Sequence, residues 1–91
     1  MKKLSEIELI VLDSILEACP TEKVERYLAP WASLADDLGL SRHEINLVGF
    51  TVEQKLQDLG FPALTDEQIL SWEKVQDIVD SVVDIMAANS K

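Results

Sequence analysis

Histidine and cysteine occur once each in these 91 residues, and basic side chains are few. The lone Cys19 excludes an internal disulfide and suits a reducing cytoplasm, the compartment expected here. One histidine and one cysteine do not make an ordinary structural or catalytic zinc site. Eight lysines and arginines stand against 17 aspartates and glutamates, a net charge of −9. Nucleic-acid affinity comes from lysine and arginine displacing counterions, so no nucleic-acid partner is expected. The same charge disfavours an anionic membrane surface and favours protein partners with basic patches. No apolar run approaches the roughly 20 residues a membrane span needs, so no membrane insertion is expected. Acids interrupt the opening MKKLSEIELIVLDSI, which argues against a signal peptide.

The chain does have apolar residues, 47% of the total, too many for a disordered tail. Its length fits one domain, 1–91, and a monomer is expected. Ile7, Ile10, Val11, Leu12, Ile15 and Leu16 form a broad stripe at helical spacing from Ser5 to about Ala18, with Ser5 as candidate cap and Pro20 as stop. From Pro20 to Leu40 the apolar residues Val24, Tyr27, Leu28, Trp31, Leu34 and Leu38 are scattered. That stretch reads as a long ordered connection with a short helical turn around Glu22–Tyr27. Connections near 20 residues are uncommon in compact domains and usually functional. Ile45, Val48, Val52, Leu56 and Leu59 step by three and four, predicting a helix from about Arg42 to Asp58 that Gly60 ends. Ser41-x-x-Glu44 and Thr65-x-x-Gln68 are capping boxes, the second opening a short third helix. Val75, Ile78, Val79, Val82, Val83 and Met86 predict a last helix from about Glu73 to Ala88; this spacing outweighs valine's preference for strands. The expected fold is all-α, a four-helix bundle with a long connection between helices 1 and 2 and a short third helix.

Catalytic constellations are sparse. His43-Glu44 begins like a zinc-protease motif but has no second histidine. Ser41 and His43 lie two residues apart on a helix and do not face each other, so no base is placed for a serine hydrolase. His43 reads as an exposed first-turn residue, and Cys19 as a packed or half-buried thiol at a helix end. Trp31 and Trp72 read as core anchors. Glu22, Glu25, Asp36, Asp37, Asp66 and Glu67 lack calcium-loop spacing and read as solvated surface. The chain is not expected to be an enzyme.

The order of parts is more informative. A first helix, a connection ending APWASLADDLG, a serine opening the second helix, the segment LTDEQILSWEKVQDIV and a last helix together resemble the acyl carrier proteins, over about Ile7 to Ile85. Ala32-Ser33-Leu34 and Asp37-Leu38-Gly39 match the run before the family's modified serine. Thr65-Asp66-Glu67-Gln68 and Lys74-Val75-Gln76-Asp77-Ile78-Val79 match its later turn and last-helix start in part. The family motif continues Asp-Leu-Gly, any residue, Asp, Ser, Leu, where this chain has Asp37-Leu38-Gly39-Leu40-Ser41-Arg42. Two registers are open. Without a gap, Ser41 falls on the family's aspartate and Arg42 on its serine. With one residue deleted, Ser41 is the modified serine and Arg42 replaces the leucine. Helix phase favours the gap, which puts Ile45, Leu47 and Val48 on the family's apolar positions rather than Asn46 and Gly49.

The resemblance implies a carrier of acyl intermediates, held as thioesters on a covalent 4′-phosphopantetheine arm at Ser41, with Arg42 as a phosphate contact. The pathway would be fatty acid, specialised lipid or polyketide biosynthesis. The partners it implies are a phosphopantetheinyl transferase and acyl-transferring or condensing enzymes with basic docking patches, met by Asp36, Asp37, Glu44 and Glu53. A phosphodiester at a helix N-terminus is also favoured by the free N–H groups there. The alternative is an unmodified acyl-carrier-like adaptor that binds a partner enzyme through its acidic surface, with Ser41 serving only as a cap.

Overall fold

The computed structural model describes residues 2–89, with side chains from residue 6 onward. Five helices follow one another: α1 (Lys2–Ala18), α2 (Glu22–Tyr27), α3 (Arg42–Asp58), α4 (Asp66–Ser71) and α5 (Val75–Ala88). No strand occurs among the described residues, so the all-α expectation holds, with five helices rather than four. The addition is α2, where a helical turn was expected: the Thr21 side chain accepts the Val24 N–H at 3.2 Å and starts the helix, while Val24, wholly buried, holds it to the core.

The boundaries of α3 and α4 follow from their caps. Ser41 and Thr65 both form complete capping boxes. At the far end of α3, Gly60 adopts φ +90°, its N–H donates to the Gln57 carbonyl, and the Phe61 N–H reaches back to Leu56 at 2.9 Å. This paired closure ends a helix at a residue in the left-handed region, which glycine enters without strain. In α5 the Asp77 carboxylate accepts the N–H groups of Glu73 and Lys74 at 2.8 and 3.0 Å, so the regular helix starts at Val75 rather than Glu73. The helix α1 begins at Lys2, ahead of Ser5, the cap expected for it; the Ser5 side chain lies outside the described ones.

The long helix α1 packs against both α3 and α5, and α4 touches α3 and α5. One continuous core joins Val11 and Ile15 of α1, Val48, Val52 and Leu56 of α3, and Ile78, Val79 and Val82 of α5. The radius of gyration, 12.2 Å, is that of a compact chain of this length, about 12 Å.

The connection from α2 to α3 is ordered by the same core. Ala32, Leu34, Leu38 and Leu40 are buried. The Leu34 N–H donates to the Glu73 carbonyl at 2.9 Å and the Val75 N–H to the Ala32 carbonyl at 3.0 Å, an isolated antiparallel bridge to the start of α5. Trp31 departs from expectation: it is 77% exposed rather than a core anchor, whereas Trp72 is 3% exposed. Trp31 sits between half-buried Pro30 and buried Ala32, and the bridge fixes its neighbours while leaving the indole outside. No helix among the described residues is long and apolar enough to cross a membrane.

Candidate functional site

Ser41 occupies the junction between the connection and α3. Its backbone is extended, φ −80° and ψ 170°, as a cap requires. Its Oγ accepts the Glu44 N–H at 3.2 Å, and Glu44 Oε1 accepts the Ser41 N–H at 2.8 Å. Leu40 before it and Ile45 after it are buried, the two positions of a hydrophobic staple. One step earlier Gly39 turns the chain at φ +68°, in the left-handed region that glycine enters without strain. The hydroxyl of Ser41 is thus presented at the surface on a backbone fixed from both sides.

Arg42 and His43 follow in the first turn of α3, both exposed. Arg42 lines an open depression of about 410 Å³ whose other walls include Ser33, Asp36, Trp72 and Lys74. Arg42 of α3 and Lys74 at the cap of α5 therefore line one hollow together with the acids Asp36 and Glu73. The expected acids divide into different roles. Asp37 Oδ2 accepts the Ser33 N–H at 2.8 Å, and Ser33 Oγ accepts the Asp36 N–H at 3.2 Å. Asp37 is therefore part of the turn, and Glu44 part of the cap, while the Asp36 carboxylate stands exposed. Asp36, Asp37 and Glu44 flank Ser41 in sequence, and Glu44 contacts it directly. Glu53 does not join them: twelve residues along a helix is about 18 Å.

Glu53 instead lines a second depression, about 210 Å³, between α3 and α4, with Asn46, Phe50, Asp66, Ile69 and Leu70. Burial and, secondarily, the Asp66 charge push its carboxyl above the ordinary value. Sequence periodicity missed this cleft because Phe50 and Leu70 lie off the core stripes, 67% and 59% exposed; that off-stripe position was the available signal.

Cys19 is buried, as expected of a thiol at a helix end, with its Sγ 3.8 Å from the Glu44 carbonyl oxygen. Burial, and then the Glu44 charge, raise its pKa, the reverse of what a nucleophile needs. Glu22, Glu25, Asp36, Asp37, Asp66 and Glu67 are exposed. No group of three potential metal ligands occurs among the described residues. Leu47, assigned to an apolar family position, is 37% exposed, whereas Ile45 and Val48 are buried. No protein-family model matches the chain, and no curated protein matches it.

Proposed function

We propose that this protein is an acyl carrier protein of the four-helix type, with α2 as an added turn in the long connection, and that Ser41 bears 4′-phosphopantetheine. The observation that carries the proposal is the placement of Ser41: an exposed hydroxyl at the N-terminus of a 17-residue helix, at the end of a pinned connection, in a small acidic helical domain. The order of helix lengths, the Asp37-Leu38-Gly39 turn and the two capping boxes support the same reading.

The surroundings fit such a group. The helix N-terminus favours a phosphodiester through its free N–H groups and dipole. Arg42 offers a charge-assisted contact, and Lys74 supplies a second cation across the neighbouring hollow. The arm would supply a thiol for acyl groups. The protein itself would position the arm and present Asp36 to a partner's basic patch. Asp37 and Glu44 would hold the local backbone.

A second reading rests on the capping box. Ser41 Oγ and Glu44 satisfy each other's backbone N–H groups without any modification, which suits an adaptor that kept the acidic surface and lost the arm. Intact mass after co-expression with a broad-specificity phosphopantetheinyl transferase separates the two. The carrier reading expects one added phosphopantetheine on the wild type and none on Ser41→Ala. The substitution also removes the cap, at a cost of about 0.5–2 kcal/mol, so circular dichroism must accompany it. An unchanged wild-type mass with several transferases would favour the adaptor.

A further inference from the structure

Two of the acids that flank Ser41 are spent on backbone donors: Asp37 Oδ2 accepts the Ser33 N–H, and Glu44 Oε1 accepts the Ser41 N–H. The cations nearby are not neutralised in return. Among the described residues the ion pairs are Arg26–Glu22 and Lys55–Glu17, and neither Lys23 nor Arg42 belongs to one. Lys23 is exposed on α2, the helix that buried Val24 holds to the core. Its side chain lies over the turn that leads to Ser41: Cδ and Nζ are 3.2 and 3.6 Å from where a Cβ on Gly39 would stand. The ammonium is therefore within about 5 Å of the Gly39 Cα, and Ser41 follows two residues on, at most about 7 Å along the chain. We propose that Lys23 is a contact of the phosphate group on Ser41, its ammonium approaching from α2 while Arg42 approaches from the first turn of α3. The assignment rests on the reading of Ser41 as the attachment site, and it gives α2 a part in that site.

The chemistry follows from charge and reach. Lysine binds phosphate as a point charge on a flexible four-carbon stem, so it needs no fixed fork geometry. A phosphate ester sets its charged oxygens beyond Oγ, outward from the cap and toward the solvent side that both cations occupy. Asp36 and Glu73 share the hollow that Arg42 lines, so part of the Arg42 charge is offset there. Lys23 does not line that hollow and reaches the turn from its other neighbour, α2. The competing role for Lys23 is simpler: an apolar stem covering the Gly39 turn with its head in water. That role needs the stem alone, whereas a phosphate contact needs the charge. Lys23→Met keeps the first and removes the second.

The test is a phosphorus NMR pH titration of the full chain carrying phosphoserine in place of Ser41, alone and combined with Lys23→Met or Lys55→Met. The second phosphate pKa of phosphoserine is about 6. A cation about 5 Å away in water lowers it by about 0.5. Lys23→Met should therefore raise it by about 0.5 at low salt, and by less at 1 M salt, where the Debye length is about 3 Å. Lys55 lies about 20 Å from Ser41 along α3, so Lys55→Met should leave it unmoved. Wild-type protein loaded by a phosphopantetheinyl transferase gives a second readout with no substitution. On loading, the Lys23 side-chain ammonium signals should shift and gain protection from solvent exchange, while those of Lys55 stay as they were. A phosphate pKa unmoved by Lys23→Met, one moved equally by Lys55→Met, or Lys23 signals indifferent to loading would overturn the contact and leave Ser41 as the attachment site. A wild type whose intact mass never gains the arm would overturn both, so the two failures are told apart by mass. The loaded wild type decides the matter even if a substituted chain fails to fold.

Discussion

The indole of Trp72 donates its Nε1–H to Ser81 Oγ at 2.9 Å, and the Ser81 hydroxyl in turn donates to the Asp77 carbonyl at 3.1 Å. The ring is 3% exposed, while that of Trp31 is 77% exposed. Replacing Trp72 by phenylalanine removes packing and one donor of a part-buried hydrogen bond, and is expected to destabilise the fold by about 1–3 kcal/mol. Trp31→Phe should stay within about 0.5 kcal/mol, as surface changes do. Urea unfolding measures both, and iodide should quench only the fluorescence lost in Trp31→Phe. Comparable destabilisation by the two changes would contradict the burial difference. Composition ranks the two tryptophans equally; only the bridge between Ser33 and Lys74, a pairing distant in sequence, separates them. The same limit applies to Asp37, whose carboxylate closes a turn onto the Ser33 N–H. Asp36 is therefore the cleaner position for a charge reversal that probes docking.

Helix α3 was legible because local signals agreed: a capping box at Ser41, apolar steps of three and four, and Gly60 beyond the end. Its contact with α4 was not, because Gly49 carries no pattern by itself. The absent Cβ lets Ile69 approach, and a methyl placed there would lie 2.8 Å from Ile69 Cδ1. Two effects then compete in Gly49→Ala. Helix propensity gains about 1 kcal/mol, while overpacking costs about 1–3 kcal/mol. In the Ile69→Val background Cδ1 is gone and the nearest remaining atom is Cγ1 at 3.2 Å, so Gly49→Ala should there be more favourable than in the wild type. A double-mutant cycle in urea measures this coupling, and a coupling near zero would mean that α4 does not sit on Gly49. The neighbouring Glu53 gives a pH-dependent expectation for the same pair of helices. Its folded pKa is raised by burial and then by Asp66, so the folded state holds the proton more tightly than the unfolded chain does. The stability this contributes is present below the ordinary glutamate pKa, about 4, and is lost as pH rises through the folded value. Glu53→Gln should therefore gain on the wild type between pH 4 and pH 7. Urea midpoints at the two pH values check the sign, and a gain at pH 4 that vanished at pH 7 would reverse it.

At the scale of the whole molecule, α5 binds the parts together. It buries Val75, Ile78, Val79, Val82 and Ile85, packs along α1, and, through the Glu73 carbonyl and the Val75 N–H, holds the connection that leads to Ser41. The helix itself was readable from spacing, since its valines recur at three and four residues. Its grip on the connection was not, because two backbone hydrogen bonds between distant segments leave no trace in composition or period. The two roles give one prediction. Truncation before Ser71 removes the five buried aliphatic side chains of α5 and Trp72, each contributing roughly 1.5–3 kcal/mol when buried. Even the lower figure, taken six times, exceeds the low end of the 5–15 kcal/mol by which whole domains are stable. The remaining helices are short or have lost part of their apolar cover, and helices in proteins draw most of their stability from packing an amphipathic face. The truncated chain should therefore lose its cooperative unfolding transition and most of its helical circular dichroism. Retention of a cooperative transition would mean that α1, α3 and α4 form a self-sufficient core, and that α5 is a covering helix rather than the element that unites the fold.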